Sequence, residues 1–212
     1  MCNPTSSPSL SASSLRITIG RQRPLDDIQP SADVLLGASI YPEPTKPVQH
    51  LVLTGRSILL TPLGPFHSSP PLRPPRWPPE RLPLDLDGPF LSPTSFDTHV
   101  AERAACRDPL CFAICDKASG EAVGYRSLMR ANTAYRCIEI GRGMYGPRLQ
   151  RSTAGTEATY LLLKHAFDHL GYRRVEWKCN ALNAASLRAA RRYGFVPEGV
   201  FGQHWIVKGR KA

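Results

Sequence analysis

The stretch Gln150-Arg151-Ser152-Thr153-Ala154-Gly155-Thr156-Glu157-Ala158 joins an alternating apolar segment to a segment with helical periodicity. Its small side chains let the backbone approach a ligand closely. The first turn of the following helix presents unpaired N–H groups and the positive end of the helix dipole. This junction therefore suits a pyrophosphate. The same pattern is also typical of an ordinary loop in which Thr156 or a neighbouring residue caps the helix.

Strands and helices alternate around this junction. Period-2 patterns predict strands at residues 56–61, 110–115, 122–129, 136–145 and 174–179 and an extended stretch at 196–207. Helical spacing predicts a helix from about 156 to 170, with Tyr160, Leu163, Phe167 and Leu170 on one face, and another at 183–193. Gly171 and Gly194 end the two helices. The order predicts a mixed α/β sheet.

Five short motifs follow one another downstream, namely Thr156-Glu157-Ala158, Ala166-Phe167, Leu170-Gly171-Tyr172-Arg173-Arg174, Asn183-Ala184-Ala185-Ser186 and Gly194-Phe195-Val196-Pro197-Glu198-Gly199. Over residues 50–208 the chain resembles the GCN5-related N-acetyltransferases (GNAT), in particular the branch of the ribosomal-protein N-terminal acetyltransferases. The resemblance implies an acyl-CoA N-acyltransferase fold and transfer of acetyl from acetyl-CoA to a primary amine of a protein N-terminus or small molecule. The alternative is an inactive domain that still binds acyl-CoA.

The resemblance also implies which residues bind acetyl-CoA. The family's phosphate loop falls on Gln150, Arg151, Ser152, Thr153, Ala154, Gly155 and Thr156. The pantetheine arm would pair with the strand that holds Ile140, Arg142 and Met144, where that strand splays from the strand at 174–179. Asn183 and Ser186 match the family's Asn-x-x-Ser near the thiol. Asn183 is also well placed simply to cap a helix.

Two residues are candidates for catalysis by direct attack with a general base. Glu139 is the only acid on its strand, on the face opposite Ile138 and Ile140, so it could take the proton of the attacking amine. The alternative is a strand-surface Glu paired with Arg142 or Arg174. The resemblance makes Ser186 the candidate donor of a proton to the leaving thiolate.

The chain departs from the family pattern at several places. Eleven of the 21 prolines fall in residues 62–93, where the family has helices, so the sequence predicts an irregular insert there and no N-terminal helices. Thr153 replaces a loop glycine, and Ala190 replaces a tyrosine that many members use as general acid. The chain ends at Ala212, whereas members continue into one more strand between the strands at 174–179 and 196–207. The resemblance therefore predicts that this strand is missing, and the proline block together with the early stop predicts an altered or incorrectly delimited reading frame.

Composition sets the remaining expectations. Residues 1–46 hold eight Ser and six Pro and are predicted to be a disordered tail, which leaves 47–212 as the GNAT-like domain. Six irregularly spaced cysteines favour a reducing, cytoplasmic location, and the Ser- and Arg-containing first 25 residues offer a mitochondrial alternative. No apolar run is long enough to cross a membrane.

The net charge of +10 favours anionic ligands, but without aromatic and basic interleaving nucleic acid is not predicted. No metal site is predicted. His165 and His169 have the spacing of metal ligands but no third ligand, so they are expected on a solvated helix surface.

Overall fold

The computed structural model describes residues 14–19, 45–68, 72, 90, 92–204, 206–207 and 210–211. The strands are β1 (Ser14–Ile19), β2 (Leu53–Thr54), β3 (Ile58–Pro62), β4 (Leu110–Asp116), β5 (Ala122–Asn132), β6 (Cys137–Tyr145), β7 (Arg174–Asn180), β8 (Val196–Phe201), β9 (Ile206–Val207) and β10 (Arg210–Lys211). The helices are α1 (Pro93–Ala105), α2 (Thr153–Lys164) and α3 (Ala184–Arg192). Eight strands form one sheet in the order β2-β3-β4-β5-β6-β7-β1-β8. The predicted mixed α/β class is confirmed.

The centre of the sheet is a meander of β4, β5 and β6, close to the bounds that the alternation predicts. Adjacent strands pair antiparallel, for example Ala113 with Tyr125 and Leu128 with Ile140. Ile140 and Leu128 belong to the core under α2 and α3, whereas Tyr125 and Ala113 face the core under α1. The centre of the sheet is therefore buried on both faces.

The strands β6 and β7 are the parallel pair of the sheet, and they pair over a short distance only. The register runs from Cys137 with Arg174 to Glu139 with Glu176, and no bridge follows. Helix α2 crosses between the two strands, as a parallel connection requires. The two strands diverge beyond Glu139.

Helix α2 begins at Thr153, earlier than the predicted start near residue 156. Its N-cap is Ser152, whose Oγ accepts a hydrogen bond from the Gly155 amide at 3.0 Å, so the cap is a residue of the same loop and not Thr156 itself. The predicted apolar face is also wrong in part, since Tyr160 is 59% exposed. Small residues, Ala158 and Thr159, face the sheet instead, because they let the helix pack closely.

The expectation that His165 lies on a solvated surface is wrong. His165 lies three residues after Leu162 and seven after Ala158, so helical spacing continues the buried face of α2 to it, and the π-helical turn His165–His169 begins there. The side chain is 4% exposed, and its Nε2 has no hydrogen-bond partner in the described part of the chain. Burial, with a smaller effect of His169, lowers the pKa of His165.

Helix α1 corrects the expectation that the N-terminal helices are absent. Ser92 caps it by accepting from the Ser95 amide at 3.1 Å, and Pro93 occupies the first turn, where a missing N–H costs nothing. Phe96 and Val100, four residues apart, are buried against the sheet. The described part of the proline-rich insert otherwise contains one short 3-10 turn, Pro65–His67.

Strand β1 changes two expectations. Residues 14–19 are not part of a disordered tail but pair antiparallel with β7 on one side and with β8 on the other. That position is the one in which the resemblance places the missing last strand, so the sheet has a strand there. A short segment of β propensity, LRITI, supplies it. The rest of the predicted tail up to residue 44 lies outside the described residues.

Deletion of residues 1–20 should destabilise the protein, because it removes the pairing of β1 and exposes an edge on both β7 and β8. The expected loss is on the order of 1 kcal/mol for each hydrogen bond removed. Thermal unfolding measures it, with deletion of residues 1–10 as the control that keeps β1. Equal melting temperatures for the two deletions would show that β1 contributes nothing.

The stability of the protein should fall as pH drops below about 6.5, the ordinary value for histidine. A folded-state pKa below that value means that the unfolded chain binds more protons, so stability rises with pH. One such group contributes at most about 1.4 kcal/mol per pH unit. Denaturant unfolding at several pH values between 5 and 8 measures the free energy of unfolding, which should rise less steeply with pH for His165→Gln than for the wild type. An unchanged slope would contradict the assignment.

Candidate active site

The divergence of β6 and β7 opens a cleft between two backbone edges. Beyond Glu139, β6 pairs with β5 alone, and beyond Glu176, β7 pairs with β1 alone. The N–H and C=O groups on the facing edges are therefore available to an extended ligand. The predicted splay of these strands is confirmed, while the binding roles of individual residues stay predictions.

The loop before α2 carries free backbone amides at one end of this cleft. The amides of Ser152, Gly155 and Thr156 are used within the loop, by Leu149 O at 3.4 Å, Ser152 Oγ at 3.0 Å and Ser152 O at 3.4 Å. The amides of Arg151, Thr153 and Ala154 donate to no described residue. Arg151 holds a φ of 56°, a left-handed conformation that is uncommon outside glycine. Part of the predicted phosphate loop is thus available to an anion.

Gly155 and Gln150 have structural roles that the sequence did not predict. A Cβ on Gly155 would lie 2.7 Å from the carbonyl oxygen of Leu149 and 3.2 Å from the Tyr145 ring. Gln150 Nε2 donates to the Tyr145 carbonyl at 2.7 Å. Glycine is required at 155 because the helix start packs against its own loop. Thr153 is exposed, so its side chain does not crowd the loop.

The three candidate residues on β6 differ in which of their atoms can contact a ligand at the strand edge. The Ile140 side chain is buried in the core under α2, and that of Met144 is buried on the opposite face. Arg142 has a φ of 43°, and the pairing with β5 shifts register between Tyr125 and Ser127, so the strand bulges here. Only the backbone of Ile140 and Met144 can reach a ligand along the edge.

Glu139 is buried in an ion-pair network. Its Oε2 accepts from Arg130 Nη1 at 2.8 Å and from Lys178 Nζ at 2.7 Å, and Lys178 also binds Glu176 at 2.9 Å. The expected alternative partners, Arg142 and Arg174, are not the ones that bind it. Its Oε1 accepts from no described residue. Glu139 is 4% exposed, and alternation puts it on the face opposite Ile138 and Ile140, as predicted.

Ser186 and Asn183 lie at the start of α3, beside the diverging end of β7. Asn183 Oδ1 accepts from the Ser186 amide at 3.0 Å, which is the capping arrangement that the sequence left open. Ser186 Oγ accepts from Trp177 Nε1 at 3.0 Å. Because an indole N–H only donates, the Ser186 hydroxyl keeps its own proton to donate, and the Cys179 thiol is one acceptor within its reach. Burial raises the pKa of the Cys179 thiol, and a hydrogen bond with Ser186 opposes that rise.

Several aromatic and cationic side chains beside the cleft were not selected from the sequence. Arg126 of β5 stacks on the Trp177 ring, with its guanidinium carbon 4.0 Å from the ring centroid. Tyr145 and Tyr193 both donate to the Gly155 carbonyl, at 3.1 and 3.4 Å. An arginine within the buried segment AVGYRSLM is the signal that would have pointed to Arg126.

The fold matches that of known acetyltransferases. A family model for the acetyltransferase (GNAT) domain matches residues 76–196. The chain is 37% identical to a GCN5-related N-acetyltransferase from Brucella melitensis, with a TM-score of 0.71 over 79% of this chain and 77% of that one. It is 36% identical to a protein from Chromobacterium violaceum described as a probable GNAT-family acetyltransferase, with a TM-score of 0.69 over 87% and 91% of the two chains.

More distant structures share the fold alone. The ribosomal-protein-S5-alanine acetyltransferase from Vibrio fischeri is 14% identical, with a TM-score of 0.57 over 76% of this chain and 91% of that one. A comparison with curated proteins gave no significant match. The chain belongs to the GNAT acetyltransferase family, and its structural neighbours include ribosomal-protein acetyltransferases.

The structure also bears on membranes. Within the described ranges, no helix combines the length and the apolar character that crossing a bilayer requires.

Glu139→Gln should lower the free energy of unfolding by about 1 to 3 kcal/mol, because Lys178 and Arg130 lose a buried carboxylate. Glu121→Gln is the matched control, since Glu121 pairs with Arg148 at the surface, where such pairs contribute little. Denaturant unfolding compares the two variants. Equal effects would mean that the ion-pair network does not stabilise the fold.

Proposed function

We propose that the chain is an acetyl-CoA-dependent N-acetyltransferase. It moves the acetyl group to a primary amine of a protein N-terminus or a small molecule, in the cytoplasm. The observation that carries the proposal is the coincidence of the open β6 and β7 edges with the free amides of Arg151, Thr153 and Ala154. A long ligand with an anionic middle and an amide-containing arm fits both features.

The free amides support a role in holding the pyrophosphate of acetyl-CoA. Those of Thr153 and Ala154 lie in the first turn of α2 and that of Arg151 lies just before its N-cap, where the helix dipole also favours negative charge. The amide groups of the pantetheine arm would extend the sheet along the β6 edge from Met144 towards Ile140. The strand bulges at Arg142, so its ladder with β5 is interrupted beside the place proposed for the arm.

The transfer itself needs a neutral amine and a protonated leaving group. The amine nitrogen attacks the thioester carbon, the N–C bond forms, and the C–S bond breaks with both electrons going to sulfur. Glu139 takes the amine proton through Oε1, directly or through water, while Oε2 stays bound to Arg130 and Lys178. Ser186, whose Oγ accepts from Trp177, turns its hydroxyl from the Cys179 thiol to the thiolate and gives it a proton, and water returns a proton to Ser186.

An inactive acyl-CoA-binding domain is the second candidate. The observation that favours it is that Glu139 and Ser186 already have partners, Lys178 and Trp177, that would explain both residues without catalysis. Turnover of acetyl-CoA with a panel of amines separates the candidates. Activity that Glu139→Gln or Ser186→Ala lowers at unchanged acetyl-CoA affinity supports the enzyme. Binding without turnover of any amine supports the inactive domain.

Thr153→Pro should weaken acetyl-CoA binding roughly 10- to 100-fold, because it removes one free amide that would bind a charged group. The fold should tolerate proline, since Thr153 is the first helical residue and Ser152 already has the extended φ and ψ of −100° and 162° that precede proline well.

Isothermal titration with acetyl-CoA measures the effect. Thr153→Ala is the matched control, which loses the same side chain but keeps the N–H, and it should bind as the wild type does. Equal affinities of the two variants would exclude the Thr153 amide from the site. No binding by folded wild-type protein would overturn the proposed function.

A further inference from the structure

Arg126 is a buried cation at the cleft. It lies on β5 and is 7% exposed. Its side chain passes across β6 over Gly143, where a Cβ would lie 3.3 Å from Nη1 and 3.4 Å from Cγ. The guanidinium then stacks on the Trp177 ring of β7, and its carbon is 5.5 Å from the Tyr145 ring centroid. Gly143 is therefore the residue that lets Arg126 reach the gap between β6 and β7.

The guanidinium of Arg126 has no anionic partner in the described part of the chain. Its Nε is fully buried and makes no hydrogen bond there. The neighbouring cations are paired: Lys178 binds Glu139 and Glu176, and Arg174 binds Glu198. Stacking on an aromatic ring recovers only part of what a buried charge loses on leaving water. A guanidinium in this setting is complementary to an anion that enters the cleft.

The position of Arg126 indicates which part of a bound reactant its guanidinium would contact. Trp177 is one residue beyond the last paired residue of β7, Glu176, so the guanidinium lies at the closed end of the cleft. The same indole donates to Ser186 Oγ, the proposed donor to the thiolate. The free amides of the phosphate loop lie at the start of α2 instead. Arg126 is therefore beside the reacting groups, where an acetyl group carries no charge.

We propose that Arg126 binds a carboxylate of one of the two reactants. The planar fork of arginine matches a carboxylate through two parallel hydrogen bonds. The carboxylate could belong to the acyl group, as in a dicarboxylic acyl-CoA, or to an amino-acid acceptor. In both cases the amine forms its bond to the thioester carbon and the thiolate leaves as described above, while the carboxylate is unchanged. The inference rests on the proposed function, because it concerns the same cleft.

The experiment compares wild type with Arg126→Met, which keeps an unbranched apolar stem against Trp177 but has no charge. Circular dichroism checks the fold of each variant. Arg148→Met, at a surface arginine paired with Asp116 and Glu121, is the matched control. In the first arm, isothermal titration measures the affinity of each variant for acetyl-CoA and for succinyl-CoA. In the second, initial rates are measured with an α-amino acid and with its amide, using acetyl-CoA.

If the acyl group carries the carboxylate, wild type binds succinyl-CoA at least tenfold more tightly than acetyl-CoA, and Arg126→Met removes that preference by weakening succinyl-CoA binding more than acetyl-CoA binding. If the acceptor carries it, wild type prefers the amino acid to its amide at least tenfold in kcat/KM, and Arg126→Met removes the preference. Arg126→Lys should retain part of either preference, because it keeps the charge without the fork.

Two results would overturn the inference, and they differ from one another. Acetyl-CoA binding with no preference in either arm would show that Arg126 is structural while the proposed function stands. Failure of folded wild type to bind either thioester would overturn the proposed function and this inference together.

Discussion

The parting of β6 from β7 after the pair Glu139 and Glu176 is the constraint on which the rest of the site depends. Two parallel strands that stayed paired would consume the backbone groups that an extended ligand needs. The crossover helix α2 packs over these strands, with Tyr145 and Tyr193 both donating to its Gly155 carbonyl. Its first turn is thereby held against the sheet near the open end of the cleft. The cleft and the free amides at the start of α2 both follow from the parallel connection of β6 to β7 through this helix.

Charge is distributed differently on the two faces of the sheet at this point. On the face of Glu139, the cations Arg130 and Lys178 and the carboxylate of Glu176 balance one another. On the other face, the guanidinium of Arg126 stacks on the Trp177 ring, and no described carboxylate forms an ion pair with it. A satisfied buried network stabilises and fixes the strands that carry it. An unsatisfied group beside it is better suited to a ligand, because a structural role would favour a paired arrangement.

The ends of the fold show how a chain can build the same sheet from different pieces. The strand between β7 and β8 comes from residues 14–19, far from the C-terminal segment that the family pattern led us to expect. Backbone pairing does not depend on where in the chain a strand arises, so a short segment of suitable propensity can fill the position. Helix α1 likewise begins where the proline-rich insert ends, because proline is favoured in a first turn.

The sequence by itself determined the mixed α/β class and the meander of β4 to β6, because period-2 patterns and glycine stops are local signals. Its spaced motifs carried the resemblance to the family, and that resemblance implied the splay of β6 from β7. Only the tertiary structure decided the partners of Glu139, the burial of His165 and the stacking of Arg126 on Trp177. Those contacts join residues such as 126 and 177, which are far apart in the chain, so no local pattern records them. Even the start of α2 depended on which hydroxyl reached the Gly155 amide.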